Sequence, residues 1–275
     1  MKMNYKFKAL VVSLAMAASA PALAVIENGE LLLDVRYYTG ATPTSGDAIS
    51  GLFDLGFKMN DMIALNGQTD ISKSWNLTGG AYGASWNQVL NFVSSHGGNT
   101  NQIYYNVIAL DTVGARYLTT ANVDAYPGLT NGNLKGFQGM QAYVDANNSR
   151  GTHATDANGA STATPTDALN SFFGAINGSG MGDTWLQKTT VNTTQPLGTA
   201  QNFWLLTTSS SSTLAQATKT PFGAAGGELS KFNLNADGTL TFTSPVSAVP
   251  EADTWAMLLA GLGMLGMMVR RRTSI

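Results

Sequence analysis

The alternation of apolar and polar positions divides this chain of 275 residues into short strands with helical stretches between them. Leu31–Tyr38 (LLLDVRYY) is a run of aliphatic and aromatic residues bounded by Gly29 and Thr39-Gly40, which predicts a strand. In Gly51–Met59, the residues Phe53, Leu55, Phe57 and Met59 share one parity and Leu52, Asp54, Gly56 and Lys58 the other. That pattern predicts a half-buried strand, ended by Asn60-Asp61. Lys73–Leu77 predicts another short strand. Ile103–Leu110 and Ala115–Thr119 predict a strand pair joined by Asp111–Gly114, a glycine-containing connection of hairpin length. Asn202–Thr207 (NFWLLT) reads as a buried strand. Glu228–Asn233 and Leu240–Thr243 form the clearest hairpin, because Asn235, Asp237 and Gly238 between them tolerate positive φ.

The period lengthens at three places. Trp86, Val89, Leu90 and Val93 fall on one face of a helix over Ser85–Ser94, which Gly97-Gly98 stops. Leu134, Phe137, Met140, Gln141 and Val144 predict a second helix over Asn133–Ala146, weakened by Gly136 and Gly139 inside it. A third is predicted over Pro165–Ile176, with Thr164 as its cap, Pro165 in its first turn and Leu169, Phe172, Phe173 and Ile176 as its apolar face. Ser209–Ser212 reads as an exposed loop or frayed turn. Without internal repeats or a break in composition, residues 25–243 predict one mainly β domain. Its expected form is β-sandwich-like with a few short helices inserted, and an α+β arrangement is the alternative.

Both ends depart from this pattern. Lys2, Lys6 and Lys8 precede an apolar stretch, Ala9–Ala20, and then Pro21 and Ala22-Leu23-Ala24. This is the layout of a secretory signal peptide over residues 1–24, with Ala22 and Ala24 as the small residues of the cleavage site and Val25 as the mature start. At the other end, a linker over 244–248 leads to Val249-Pro250-Glu251, then to an uncharged run over 254–269, then to Arg270, Arg271 and Arg272. As a helix that run of 16 residues spans about 24 Å. It is short against a hydrocarbon core of about 30 Å, so local thinning and snorkelling arginines must make up the difference. The expectation is a transmembrane helix over 254–269 with the arginines as a cytoplasmic stop and the body outside.

Together with the signal peptide, Val249-Pro250-Glu251, Trp255–Gly263 and Arg270–Arg272 resemble the sorting signal of PEP-CTERM proteins. The resemblance covers residues 249–275, about a tenth of the chain. It implies export across the inner membrane of a Gram-negative bacterium, a membrane-anchored precursor, and processing near Pro250-Glu251 by an exosortase, a cysteine transpeptidase-like membrane enzyme. It also implies a destination at the cell surface or outside the cell, linked to exopolysaccharide and biofilm. Ala252 stands where the family usually has a second proline.

Composition narrows what the body can do. Residues 25–249 hold nine basic and fifteen acidic residues, a net charge of 9 − 15 = −6, with no basic cluster, which argues against nucleic acid as a partner. There is no cysteine, so disulfides, thiol catalysis, zinc–thiolate and iron–sulfur centres are excluded. His96 and His153, the two histidines, belong to no hydrolase or metalloprotease motif. Asp34, Asp54 and Asp111 read as solvated edge or turn residues. Asp145, Asn147, Ser149 and Asp156 echo a calcium loop, but the glycine falls at position 7 instead of 6 and the last ligand is Asp instead of Glu. Four Asn-x-Ser/Thr triplets, at Asn76, Asn147, Asn177 and Asn192, are expected by chance in so Asn-, Ser- and Thr-rich a chain. Trp75, Trp86, Trp185, Trp204, Tyr37, Tyr38, Tyr82, Tyr104 and Tyr105 would offer stacking faces for sugars if exposed, and are otherwise core. The expectation is a non-enzymatic exported protein without a cofactor, in contact with glycan or adhesive. The alternative is a secreted glycan hydrolase with a carboxylate pair, which requires two acids about 5–10 Å apart across a cleft.

Overall fold

The structure is a computed structural model that describes residues 25–39, 47–121, 128–137, 140–167, 170–173, 194–223, 227–246 and 252–272. β1 (Glu30–Tyr38) and β2 (Ala48–Lys58) form the longest pair, running antiparallel from Tyr38 opposite Ala48 to Glu30 opposite Lys58, with an irregularity between Glu30 and Leu32. β3 (Ser72–Asn76), β4 (Tyr104–Asp111), β5 (Arg116–Thr120), β6 (Ala160–Ala163), β7 (Gln195–Pro196), β8 (Gln201–Thr207), β9 (Thr218–Pro221), β10 (Lys231–Leu234) and β11 (Thr239–Thr243) complete one sheet of eleven strands. Its order is β3-β11-β10-β8-β5-β4-β1-β2-β6, with β7 beside β4 and β9 beside β8. Every pairing is antiparallel.

Strand alternation sends side chains to two separate cores. Leu31, Leu33, Val35 and Tyr37 of β1 join Phe53, Leu55, Trp75, Phe203, Phe232, Leu240 and Phe242 in the first. After β2 comes the short helix α1 (Met59–Ile63), and helix α2 (Gly83–Ser95) closes this core with Trp86, Val89 and Val93. It ends at His96 in a Schellman motif: the Gly98 N–H bonds the Val93 carbonyl at 2.9 Å and the Gly97 N–H bonds that of Ser94 at 3.1 Å. Gly97 takes the φ of +69° that this motif requires. The other parity, with Leu32, Leu52, Ile108, Leu110, Tyr117, Trp204 and Leu206, packs under Leu134 of α3 (Asn131–Phe137), under Met140, Tyr143 and Val144 of α4 (Met140–Asn147), and against Phe172 and Phe173.

The sheet curls until its ends meet. Trp75 of edge strand β3 donates its indole N–H to the Leu55 carbonyl of β2 at 2.9 Å and sets its ring edge-on to Phe57, 5.6 Å away. Beside it the Tyr82 hydroxyl bonds the Asp54 carbonyl, and the Thr152 hydroxyl bonds that of Ala81 at 2.8 Å. Side chains therefore stitch a seam where strand pairing stops.

The mainly β expectation holds, but the sandwich is replaced by a single curled sheet. A sandwich leaves the outward parity in water. Here the sheet wraps its inner side chains while α3, α4 and neighbouring loops cover the outer face, so β2 is buried on both parities from Ala48 to Leu55. Asp34, Asp54 and Asp111, expected to be solvated, are 0%, 2% and 8% exposed. Over the stretch expected as a helix, 133–146, the described residues are helical up to Phe137 in α3 and from Met140 in α4. Within the helix expected over Pro165–Ile176, residues 165–167 and 170–172 are turns and bends and Phe173 is helical, while Leu169 and Ile176 lie outside the described residues. β6, β7 and β9, rich in Thr, Gln and Ala, carry no alternation that would have marked them.

The chain divides into two units, residues 1–245 and 246–275. The second contains α5 (Ala252–Arg272), 21 residues long. It is a helix where a transmembrane helix was expected. Among the described residues, however, no helix is long and apolar enough to cross a membrane. The physical reason for the shortfall is the uncharged run itself, 16 residues closed off by Asp253 and Arg270.

Candidate functional site

Charged groups on β1 sit inside the molecule. Asp34 and Arg36 share the outer parity and lie 3.7 Å apart, both buried. Tyr143 of α4 donates its hydroxyl to Asp34 at 2.9 Å, and the Arg36 guanidinium lies 4.3 Å from the centre of the Phe173 ring. Burial pushes the Asp34 carboxyl up to about 7, against the pull of Arg36 and of the Tyr143 hydroxyl. The Phe173 N–H donates to Ser50 at 3.1 Å, and the Asn147 amide bridges the Tyr143 and Ser171 carbonyls at 2.9 and 3.0 Å. The network fastens α4 and residues 171–173 to the sheet. Its acid is covered from solvent, which is the arrangement of a structural network and not of a group that meets substrate.

A second charged set lies where β1 begins and β2 ends. Lys58 bridges Glu27 at 2.6 Å and Glu30 at 2.8 Å. Burial pushes Asp54 up to about 7, the Gly56 N–H opposes this, and the hydrogen-bonded Glu30 carboxyl adds to it. Asp54 is buried and Glu30 is held by Lys58, so neither stands as a free acid across an open cleft, as a glycosidase pair must. Asp111 pairs with Arg116 at 2.7 Å. Burial raises the Asp111 carboxyl, but the Gly114 N–H, Arg116 and Asn28 outweigh it and hold it below the usual range.

A cleft of about 570 Å³ opens beside the seam and is lined by Asn76, Gly79, Gly80, Ala81, Tyr82, Asp156, Ala157 and Asn158. A second, about 470 Å³, continues along the same two segments and is lined by Ser85, Gln88, Arg150, Thr152 and Thr162 among others. Arg150 is held by Asp167 at 2.6 Å and by the Thr162 carbonyl at 3.1 Å. The pair of clefts offers amides, hydroxyls, bare backbone at Gly79-Gly80 and the half-buried Tyr82 ring. Such a surface can hydrogen-bond a hydroxyl-rich ligand, and it contains no histidine. Sequence reading singled out Tyr82 and Asp156 separately and missed their meeting, which depends on the seam.

The calcium candidate is not assembled. Asn147 is buried and turned inward, its Oδ1 accepting from Ser161 at 2.7 Å, while Asp145, Ser149 and Asp156 are exposed. Asp145 instead accepts from Gln141 at 2.7 Å, and Asp156 from Thr155 at 3.0 Å. Among the described residues no three His, Asp or Glu gather as a metal site. His153 is buried with Nε2 3.2 Å from the Leu52 carbonyl, and burial pushes its pKa down to about 4. His96 caps α2, with Nδ1 2.8 Å from the Phe92 carbonyl and its ring stacked on Phe92. Of the aromatics, Trp75, Trp86, Trp204, Tyr37 and Tyr105 are core, and Tyr38, Tyr82 and Tyr104 are half-buried. Trp185, Ala22, Ala24, Val249, Pro250 and Glu251 lie outside the described residues, and Arg270, Arg271 and Arg272 form the last turn of α5.

A family model described as the PEP-CTERM protein-sorting motif matches residues 248–272. That match takes in Val249-Pro250-Glu251, the apolar run and the three arginines. No curated protein and no solved structure matches the chain.

Proposed function

We propose that the chain, ending in a PEP-CTERM sorting motif, is made as an exported precursor, held in the inner membrane by α5 and cut by an exosortase near Pro250-Glu251. The motif at 248–272 carries this reading. The three arginines keep the C-terminus cytoplasmic, and their long side chains let a short apolar run serve as a temporary anchor. The mature body then acts at the cell surface or in the exopolysaccharide matrix, without catalysis, binding hydroxyl-rich glycan in the clefts beside Tyr82. Support for a binding role comes from cleft walls rich in amides and hydroxyls, in which Asp156 is the single carboxylate where a hydrolase needs a pair.

Mass spectrometry of the C-terminus in cells with and without the sorting enzyme tests the processing. Mature protein ending close to Glu251 is expected in the first and an intact Ile275 terminus in the second. Intact tails in sorting-competent cells would overturn the reading. For the glycan role, titration with neutral exopolysaccharide fragments is expected to give binding that Asn158→Ala weakens. Hydrolysis of those fragments would instead make the protein an enzyme.

A further inference from the structure

Outside α5, the large apolar residues that are exposed among the described residues are Val25 (51%), Val113 (91%), Leu214 (87%) and Val246 (74%). Strand directions bring Val25, Val113 and Leu214 to one rim. β1 starts there at Glu30, five residues after Val25. β4 ends there and β5 starts there, since Asp111 faces Arg116, so the turn carrying Val113 belongs to this rim. Thr207, the end of β8, lies opposite both Arg116 and Thr218, so the β8–β9 loop carrying Leu214 emerges beside that turn. β11 ends there too, and the Pro245 carbonyl after it accepts from the Asp70 N–H at 2.9 Å.

The opposite rim is different. Its described turns, 77–82, 96–103 and 235–238, present Asn, Gly, Thr, Ala and Asp and expose no large apolar side chain. Isolated exposed apolar residues are ordinary on a soluble protein. Here Val25, Val113 and Leu214 are confined to two neighbouring turns and the start of the mature body. Two basic groups of the rim are paired, Lys58 with Glu27 and Glu30, and Arg116 with Asp111, which lowers the charge they carry into an interface.

Eight residues lie between Pro245 and Thr254, where the uncharged run begins, and at full extension those nine steps reach at most about 30 Å. We infer that this rim is a docking surface for a lipid bilayer, with Val113 and Leu214 entering the headgroup region of a zwitterionic leaflet while the tail is still attached. The inference rests on the reading of α5 as membrane-inserted. A zwitterionic surface is favoured over an anionic one because the body carries a net charge of −6. The rim would set which way the body faces before its tail is cut, leaving the clefts by Tyr82 turned away from the rim's end of the sheet.

The chain contains no cysteine, so one introduced thiol takes a fluorophore uniquely. In the full chain reconstituted into phosphatidylcholine vesicles with a headgroup-level nitroxide quencher, labels at Val113→Cys and Leu214→Cys are expected to be quenched. A label at Ala236→Cys, on the opposite rim, is expected to stay bright. Leu259→Cys, inside α5, with an acyl-chain quencher, reports tail insertion separately. Lack of quenching at 259 would sink the anchored-tail reading. Quenching at 259 with equal signals at 113, 214 and 236 would overturn the docking rim alone. Leu214→Asp is expected to abolish quenching at Val113→Cys while leaving 259 quenched, and retained quenching at 113 would show that the tether alone, and no docking, holds the rim there.

Discussion

Asp54 and His153 are buried groups whose charged forms folding opposes, in different pH ranges. For Asp54 the folded value, about 7, lies above the ordinary 3.8, so the folded state holds a proton that the unfolded chain has released. Its contribution to stability is complete below pH 4 and is lost as pH rises through 7. For His153 the folded value, about 4, lies below 6.5, so stability is lost as pH falls from 6.5 toward 4. Asp54→Asn keeps the shape and removes the first loss. It is expected to raise stability at pH 8 over wild type by on the order of 2–4 kcal/mol, at 1.36 kcal/mol per pH unit, with little gain at pH 4. Guanidinium unfolding at the two pH values measures this, and an equal effect at both would show that ionisation of Asp54 does not matter. Tyr143→Phe takes a donor from Asp34 in the interior, and a loss of about 1–3 kcal/mol is expected by thermal melting.

At the scale of elements, turns and the seam decide where strands stop. Gly238 ends the β10–β11 turn at φ +83°, and a Cβ there would meet the Trp86 indole nitrogen at 2.8 Å and Thr78 at 2.9 Å. Gly238→Ala is therefore expected to cost about 2–4 kcal/mol, combining a left-handed backbone with overpacking of α2 against the turn. Urea unfolding would measure it, and a cost near zero would mean that α2 shifts freely. Trp75→Phe retains an aromatic ring against Phe57 but removes the bond to the Leu55 carbonyl. About 1–2 kcal/mol is expected, with faster amide exchange in β3 than in β5. The sequence marked the hairpins, α2 and its glycine stop correctly because each depends on neighbours in the chain. It missed β6 and β9, whose residues become strands only through the edges they join.

Across the whole molecule, β10 joins β8 through two residue pairs only, Lys231 with Asn202 and Phe232 with Gln201. Besides the Trp75 seam, β3, β11 and β10 are held to the rest by the ring cluster around Phe203, with Phe222 at 4.8 Å, Phe232 at 4.9 Å and Phe242 at 6.3 Å. Phe203→Ala is expected to cost about 3–5 kcal/mol and to make those three strands exchange their amides first. Uniform exchange across the sheet would show that the short β8–β10 ladder is enough. By itself the sequence determined the mainly β class, most strand positions and the sorting tail. Each is written in local order: a period of two, a turn residue, or an apolar run closed by arginines. Only the tertiary structure decided that Asp34 and Asp54 are covered, that Asn147 turns inward, and that Tyr82 and Asp156 share a cleft. Periodicity reports which face of a strand a side chain occupies. What covers that face depends on segments more than a hundred residues apart, as with Asp34 and Tyr143, and no local pattern encodes their meeting.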